Sequence, residues 1–342
     1  MQKQHNPVLD ALRFVSILAV LLIHTTTRTL EASSYNLQQL PWTLFLNQTS
    51  RFAVPLFFMI SGFVLELSHS HNKNYVMYIK KRANRIIIPY VFWSAIYYFL
   101  VFGKHKPPFI DSLFAGNASY QLYFIPSLII FYLLFPLLHK YCSIICNKWS
   151  LIILGILQII ILYFDYNIHS ISLFYPLSVA LLNYFYFIFG IWLSKNQDLF
   201  KKILKKWKIL LFLGSLLFAF LIFYEGFTGY MKTQNYLKFY SQWRPSVFIY
   251  SFLIGGFMYA LFDKGFASSK IIKSLSKLSF FVFFVHVAIL QFTWLYFLKN
   301  IFSINLAKQL WYDPLYFLFV AVASFAIAYV VHKIPYLSKI TG

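Results

Sequence analysis

The chain alternates long apolar runs with short polar stretches, and within the runs the apolar residues are nearly continuous rather than confined to one face. Ten such runs lie at about 8–27, 50–68, 86–103, 121–138, 149–165, 173–193, 208–224, 246–262, 278–298 and 314–332. Each approaches the ~20 residues an α-helix needs to cross ~30 Å of hydrocarbon. Several carry Pro or Gly in mid-run, which membrane helices tolerate because neighbouring groups re-satisfy the backbone. The pattern predicts an all-α polytopic membrane protein with about ten transmembrane helices.

Composition strengthens that expectation. Of 342 residues 60% are hydrophobic and 11% charged, against ~25% charged in an average soluble domain. A disordered chain is excluded by the same hydrophobicity. The net charge of +21 would point to nucleic acid in a soluble protein, but its distribution gives another cause. Twenty Lys and Arg fall in the loops and tails on one side of the ten runs and nine on the other, which places both termini in the cytoplasm. No long loop or low-complexity tract interrupts the chain, so 1–342 reads as one membrane-embedded domain with no fused soluble part. No internal repeat is evident. The Lys-, Ile-, Asn- and Phe-rich composition suits an AT-rich bacterial genome, hence a bacterial cytoplasmic membrane. The first run, Leu9 to Thr27, lacks the small-residue exit of a cleaved signal. Cys142 and Cys146 lie four apart, without the second ligand pair of a zinc site and on the reducing side of this topology; they read as structurally neutral. The sequons Asn47-Gln48-Thr49 and Asn117-Ala118-Ser119 are short enough to arise by chance and carry little weight.

Candidate chemistry resides in ionisable groups inside the spans, where each costs ~2.5–3.5 kcal/mol at a helix centre. Span one holds Asp10, Arg13 and His24. Arg13 and His24 share one stripe, ~16 Å apart along the axis at 1.5 Å per residue, and Asp10 can pair with Arg13 one turn away. Snorkelling of Arg13 inward and His24 outward is the bland alternative; the shared face favours a lined cavity. Span two contains Ser61-Gly62, a pair that permits close helix approach. Ahead of span three, Lys80, Lys81, Arg82 and Arg85 form one basic patch on a helix, fit for topology anchoring or for clamping phosphate. Glu66 is a candidate partner for that patch. His286, near the middle of span nine, reads first as a buried, hydrogen-bonded structural imidazole.

These residues resemble a known family. Leu9-Asp10-Ala11-Leu12-Arg13 followed by His24 is similar to the opening of the acyltransferase 3 family of integral membrane acyltransferases, which carries an Arg and a His separated by ten residues in its first span. Val54-Pro55 through Ser61-Gly62-Phe63 resembles the second-span signature, and Lys81-Arg82-Ala-Asn-Arg85 through Pro89 the basic turn. Weaker echoes follow in family order at Tyr123-Phe-Ile-Pro126 through Pro136, Tyr184–Gly190, Leu275–His286 and Ile334-Pro335. Two positions depart: Phe14 stands where a small residue is common, and Val287 where Pro usually follows the span-nine His.

The resemblance implies transfer of an acyl group, usually acetyl, from cytoplasmic acyl-CoA to a hydroxyl of an extracytoplasmic or lipid-linked glycan. Catalytic roles would fall to His24, Arg13, Asp10 and Ser61, with Ser61 or Tyr123 as oxyanion donor, and Arg82, Arg85, Lys81 and Lys80 would hold the phosphates of coenzyme A. No metal and no nucleic acid is expected; the partners are acyl-CoA, the acceptor and membrane lipids. A glycan exporter and a non-catalytic scaffold remain the alternatives, since buried Asp, Arg and His also suit transport.

Overall fold

The computed structural model describes residues 6–32, 40–69, 75–101, 107–168, 174–233, 241–262, 267, 269–293, 310–334 and 337. Among them there is helix and turn but no strand. Lys3, Lys73, Lys104, Lys106, Lys238, Lys264, Lys299, Lys308 and Lys339 of the charge count, Pro335, and the span ends at 102–103, 173 and 294–298 lie outside the described residues.

The helices are α1 (Pro7–Ala32), α2 (Leu40–Thr49), α3 (Ala53–His69), α4 (Tyr75–Ile96, continued by a π turn at Tyr97–Val101), α5 (Phe109–Ala115), α6 (Phe124–Lys140), α7 (Cys142–Ile145), α8 (Lys148–Ile168), α9 (Tyr175–Leu181), α10 (Tyr184–Lys195), α11 (Gln197–Lys206), α12 (Lys208–Thr233), α13 (Pro245–Phe262), α14 (Lys270–Phe292) and α15 (Tyr312–Lys333).

Every apolar run contains helix, but among the described residues only seven helices are long and apolar enough to cross a membrane: Pro7–Glu31, Pro41–His69, Lys148–Ile168, Lys208–Lys232, Pro245–Phe262, Lys270–Phe292 and Tyr312–Lys333. The other runs fall short of this length and composition for physical reasons. Helix α4 carries Lys80, Lys81, Arg82 and Arg85 in its first half. Helix α6 has 17 residues, short of the ~20 required. The sixth run breaks between α9 and α10 with a 51° bend, and would make an eighth span only if the bent pair crosses as one. At that break Asn183 donates its amide to the Val179 carbonyl at 2.8 Å, so a side chain occupies a carbonyl that an unbroken helix would bond through its own backbone.

The chain divides into two compact units, one of Met1–Val54, Leu204–Gln242 and Ser246–His332, the other of Pro55–Ile203, Trp243–Pro245 and Lys333–Gly342. In the first, α1 starts on an Asn cap, with the Val8 N–H donating to Asn6 Oδ1 at 3.1 Å and Pro7 at the first helical position, where its missing N–H costs nothing. Helix α1 packs against α14 and α2, and α2 against α12. Leu30 and Leu44 sit under Phe223, Phe227 and Tyr230. Thr29 and Thr43 donate their hydroxyls to the two carboxylate oxygens of fully buried Asp313 at 2.7 and 2.5 Å, tying α1, α2 and α15 together.

In the second unit α6 packs on α4, α9 and α10, and α8 on α10. The Ser61-Gly62 expectation finds its cause here. A Cβ added at Gly62 would strike the Phe187 carbonyl, and one at Gly190 the Met59 carbonyl. Helices α3 and α10 therefore cross main chain to main chain, which only glycine at both positions permits.

Candidate functional site

Helix periodicity does place Asp10, Arg13 and His24 as a polar series on α1. Arg13 donates to Asp10 Oδ1 at 3.3 Å, and the same oxygen accepts the Ser276 hydroxyl of α14 at 3.3 Å. The N-terminal end of the series is thus fixed to α14 by a carboxylate that is itself buried.

At the C-terminal end, α14 supplies what the sequence did not reveal. The His286 ring centroid lies 5.1 Å from that of His24, with the planes tilted by 32°. His286 is fully buried, and its Nδ1 lies 3.0 Å from the Val282 carbonyl oxygen. A carbonyl only accepts, so Nδ1 carries the proton and Nε2 of the neutral ring bears a lone pair. That Nε2 has no hydrogen-bond partner among the described residues. Buried polar atoms are nearly always partnered, and an exception calls for a reason. His24 itself is partly exposed.

Two cations, Arg51 and Arg28, act electrostatically on the His24 ring. Arg28 pairs with Glu31 at 3.1 Å and donates to Gln291 at 2.8 Å. Arg51 is buried and donates to Asn47 Oδ1 at 2.5 Å. The Asn47 amide in turn donates to the Ile23 carbonyl and to the Thr26 and Thr27 hydroxyls at 3.0–3.1 Å. Asn47 thus braces the turn of α1 that carries His24, and its complete burial rules out a glycan on the folded chain.

The remaining expected residues lie in the second unit. Ser61 is half-buried beside Gly62 on α3. Lys80 and Arg85 are exposed on α4; the side chains of Lys81 and Arg82 lie outside the described part. Among the described residues Glu66 pairs elsewhere than with that basic patch. Its oxygens meet His139 Nδ1 at 2.9 Å and Lys195 Nζ at 3.4 Å, because α3, α6 and α10 end side by side. Tyr123 stands against the rings of Tyr175 and Trp243 at 5.9 and 6.0 Å and, with Asn117, Ser119, Tyr120 and Tyr175, lines a cavity of about 530 Å³.

The model of the acyltransferase domain, the acyltransferase 3 family, matches residues 6–333, nearly the whole chain. The chain belongs to the acyltransferase 3 family. Neither the curated proteins nor the solved structures searched give a match. As a member of this family of membrane acyltransferases, with several helices fit to cross a bilayer, it is a multi-pass membrane protein. The match also embraces both imidazoles, from the first helix through α14.

Proposed function

We propose that the protein is an O-acyltransferase that moves an acyl group, in the first instance acetyl, from cytoplasmic acyl-CoA to a hydroxyl of an extracytoplasmic or lipid-linked glycan. The observation that carries this reading is the His24–His286 pair, two imidazoles 5.1 Å apart inside apolar helices of a family whose chemistry is acyl transfer. A sugar hydroxyl is a weak nucleophile near neutral pH, and a neutral imidazole is the side chain suited to take its proton, typically for ~10²–10⁴ in rate.

In this reading His24 removes the hydroxyl proton as the oxygen attacks the thioester carbonyl. The carbon–sulfur bond then breaks, and the coenzyme A thiolate leaves with the proton from the imidazolium. His286, held as its Nδ1–H tautomer by Val282, offers Nε2 as a second acceptor beside the reacting hydroxyl. Arg13, oriented by Asp10, and Lys80, Lys81, Arg82 and Arg85 bind the anionic end of coenzyme A, for which guanidinium groups give two-point contacts to phosphate. Ser61 or Tyr123 donates to the oxyanion. The aromatic and amide lining of the Tyr123 cavity supports a sugar acceptor, and its volume falls within the ~300–1,000 Å³ range of ligand sites. A ten-span path with both termini in the cytoplasm, in a bacterial cytoplasmic membrane, completes the proposal.

The test is thiol release by the purified protein supplied with acetyl-CoA and a membrane glycan fraction. Release matched by ester formation, and lost in His24→Ala that still inserts, is expected. An intact protein that releases no thiol yet moves glycan across vesicles would be an exporter, and the proposal would fall.

A further inference from the structure

Six lysines fall within residues 195–208, a stretch that acyl transfer at His24 does not use, and most of it is helix. Helix α11 runs from Gln197 to Lys206, and only Trp207 separates it from α12, which begins at Lys208. Its ten residues hold Lys201, Lys202, Lys205 and Lys206, against the single acid Asp198, and the apolar side chains of Leu199, Phe200, Ile203 and Leu204. At 3.6 residues per turn the four apolar positions, continued by Trp207, occupy one side of the helix and the four lysines the other.

Protein covers only part of that apolar side. The Phe200 ring packs against Phe189 and Trp192 of α10, with centroids 6.0 and 6.2 Å apart, and Leu204 is buried. Leu199 and Ile203, one turn apart along the adjoining edge, are 52% and 41% exposed, and Trp207 is 47% exposed. Lys202 and Lys206, themselves one turn apart, border this edge; with Lys205 they are exposed. The Lys206 ammonium lies over the Trp207 ring at 5.5 Å from its centroid.

The neighbouring helix shows what meets the bare edge. Residues Lys208–Lys232 of α12 are long and apolar enough to cross a membrane, and a helix joined to the start of such a span by one residue is held at the bilayer surface. A loop that only anchors topology needs its lysines in water; it gains nothing from apolar side chains left bare beside them or from an exposed tryptophan at the junction. Lysines on one side, with leucine, isoleucine and tryptophan on the other, make a helix that lies in the interface, apolar edge among acyl chains and ammonium groups among headgroups. The excess of lysine over acid makes that surface complementary to negative charge.

We propose that α11 is a docking surface for anionic phospholipid, with Leu199, Ile203 and Trp207 entering the acyl region of the adjacent leaflet and Lys202, Lys205 and Lys206 holding its phosphate headgroups. The lipid is bound whether or not the chain is transferring acyl groups.

The test reconstitutes the purified full-length protein in phosphatidylcholine nanodiscs. They carry a rising share of either phosphatidylglycerol or phosphatidylcholine labelled with a nitroxide high on one acyl chain. Quenching of Trp207 is read as the difference between the native chain and Trp207→Phe. Half-quenching is expected at a share of labelled phosphatidylglycerol at least ~5-fold lower than of labelled phosphatidylcholine, the contribution of one lysine near an anionic surface. The gap should close as salt rises. Replacing Lys202, Lys205 and Lys206 together by Gln abolishes the preference and keeps quenching by labelled phosphatidylcholine, whereas Leu199→Ser with Ile203→Ser weakens quenching by both lipids. The comparison of two lipids on the native chain decides the headgroup preference whether or not a variant folds. Equal half-quenching by the two lipids, or a preference that survives loss of the three lysines, would overturn the proposal. So would quenching by neither lipid, which would place α11 in water; protection of Lys202 from amine-modifying reagent by an added acidic polypeptide would then assign the face to a protein partner instead.

Discussion

The two units handle buried polarity in opposite ways. In the first, the centre is a pair of imidazoles well inside long apolar helices, one of them held by the Val282 carbonyl. In the second, polar groups gather where helices stop, and the centre is charged: a carboxylate held by an imidazole and an ammonium, with two of its side chains a third or more exposed. The difference follows from where each sits. A charge at a helix centre in hydrocarbon costs ~2.5–3.5 kcal/mol, so a mid-helix site favours groups that can be neutral, such as histidine. A helix end has water nearby and can sustain an ion pair at little cost. A mid-helix site therefore suits imidazole, and a helix end suits paired charges.

Several substitutions would break or sharpen that contrast. His24→Ala is expected to reduce acyl transfer by ~10²–10⁴-fold, the range of a lost general base, with expression and melting temperature retained. His286→Ala should cost a comparable factor if the two rings work together; a pH–rate profile unchanged from wild type would reduce His286 to a packing role. Gly190→Val, at the crossing of α3 and α10, should lower stability by ~1–3 kcal/mol through overpacking. A melting scan in detergent reads this loss, and it should appear without any change in the pH profile. Arg85→Ala should weaken acetyl-CoA binding several-fold, and the deficit should shrink as salt rises, as for a screened exposed charge.

The sequence made some of this legible and some not, for reasons visible in particular residues. The Asp10–Arg13–His24 series could be read because helical period alone fixes which residues share a face. The partner of His24 could not, because α14 meets α1 through tertiary packing that no local spacing encodes. Departure at Val287 drew attention away from His286, although an imidazole deep in an apolar run was itself the signal. Gly62 declared a close approach, but only the fold named Gly190 as the other half. Hydropathy found ten runs without seeing that Asn183 breaks one of them, nor that α4 carries its cations within the helix.

The burial of Asn47 has a practical corollary. Its amide is occupied by Ile23, Thr26 and Thr27, so the Asn-Gln-Thr triplet is accessible only before α2 docks on α1. In a host that attaches oligosaccharides to such triplets during secretion, sugar at this asparagine would mark chains in which α2 had not yet docked, and a simple gel-shift would count the failures of assembly.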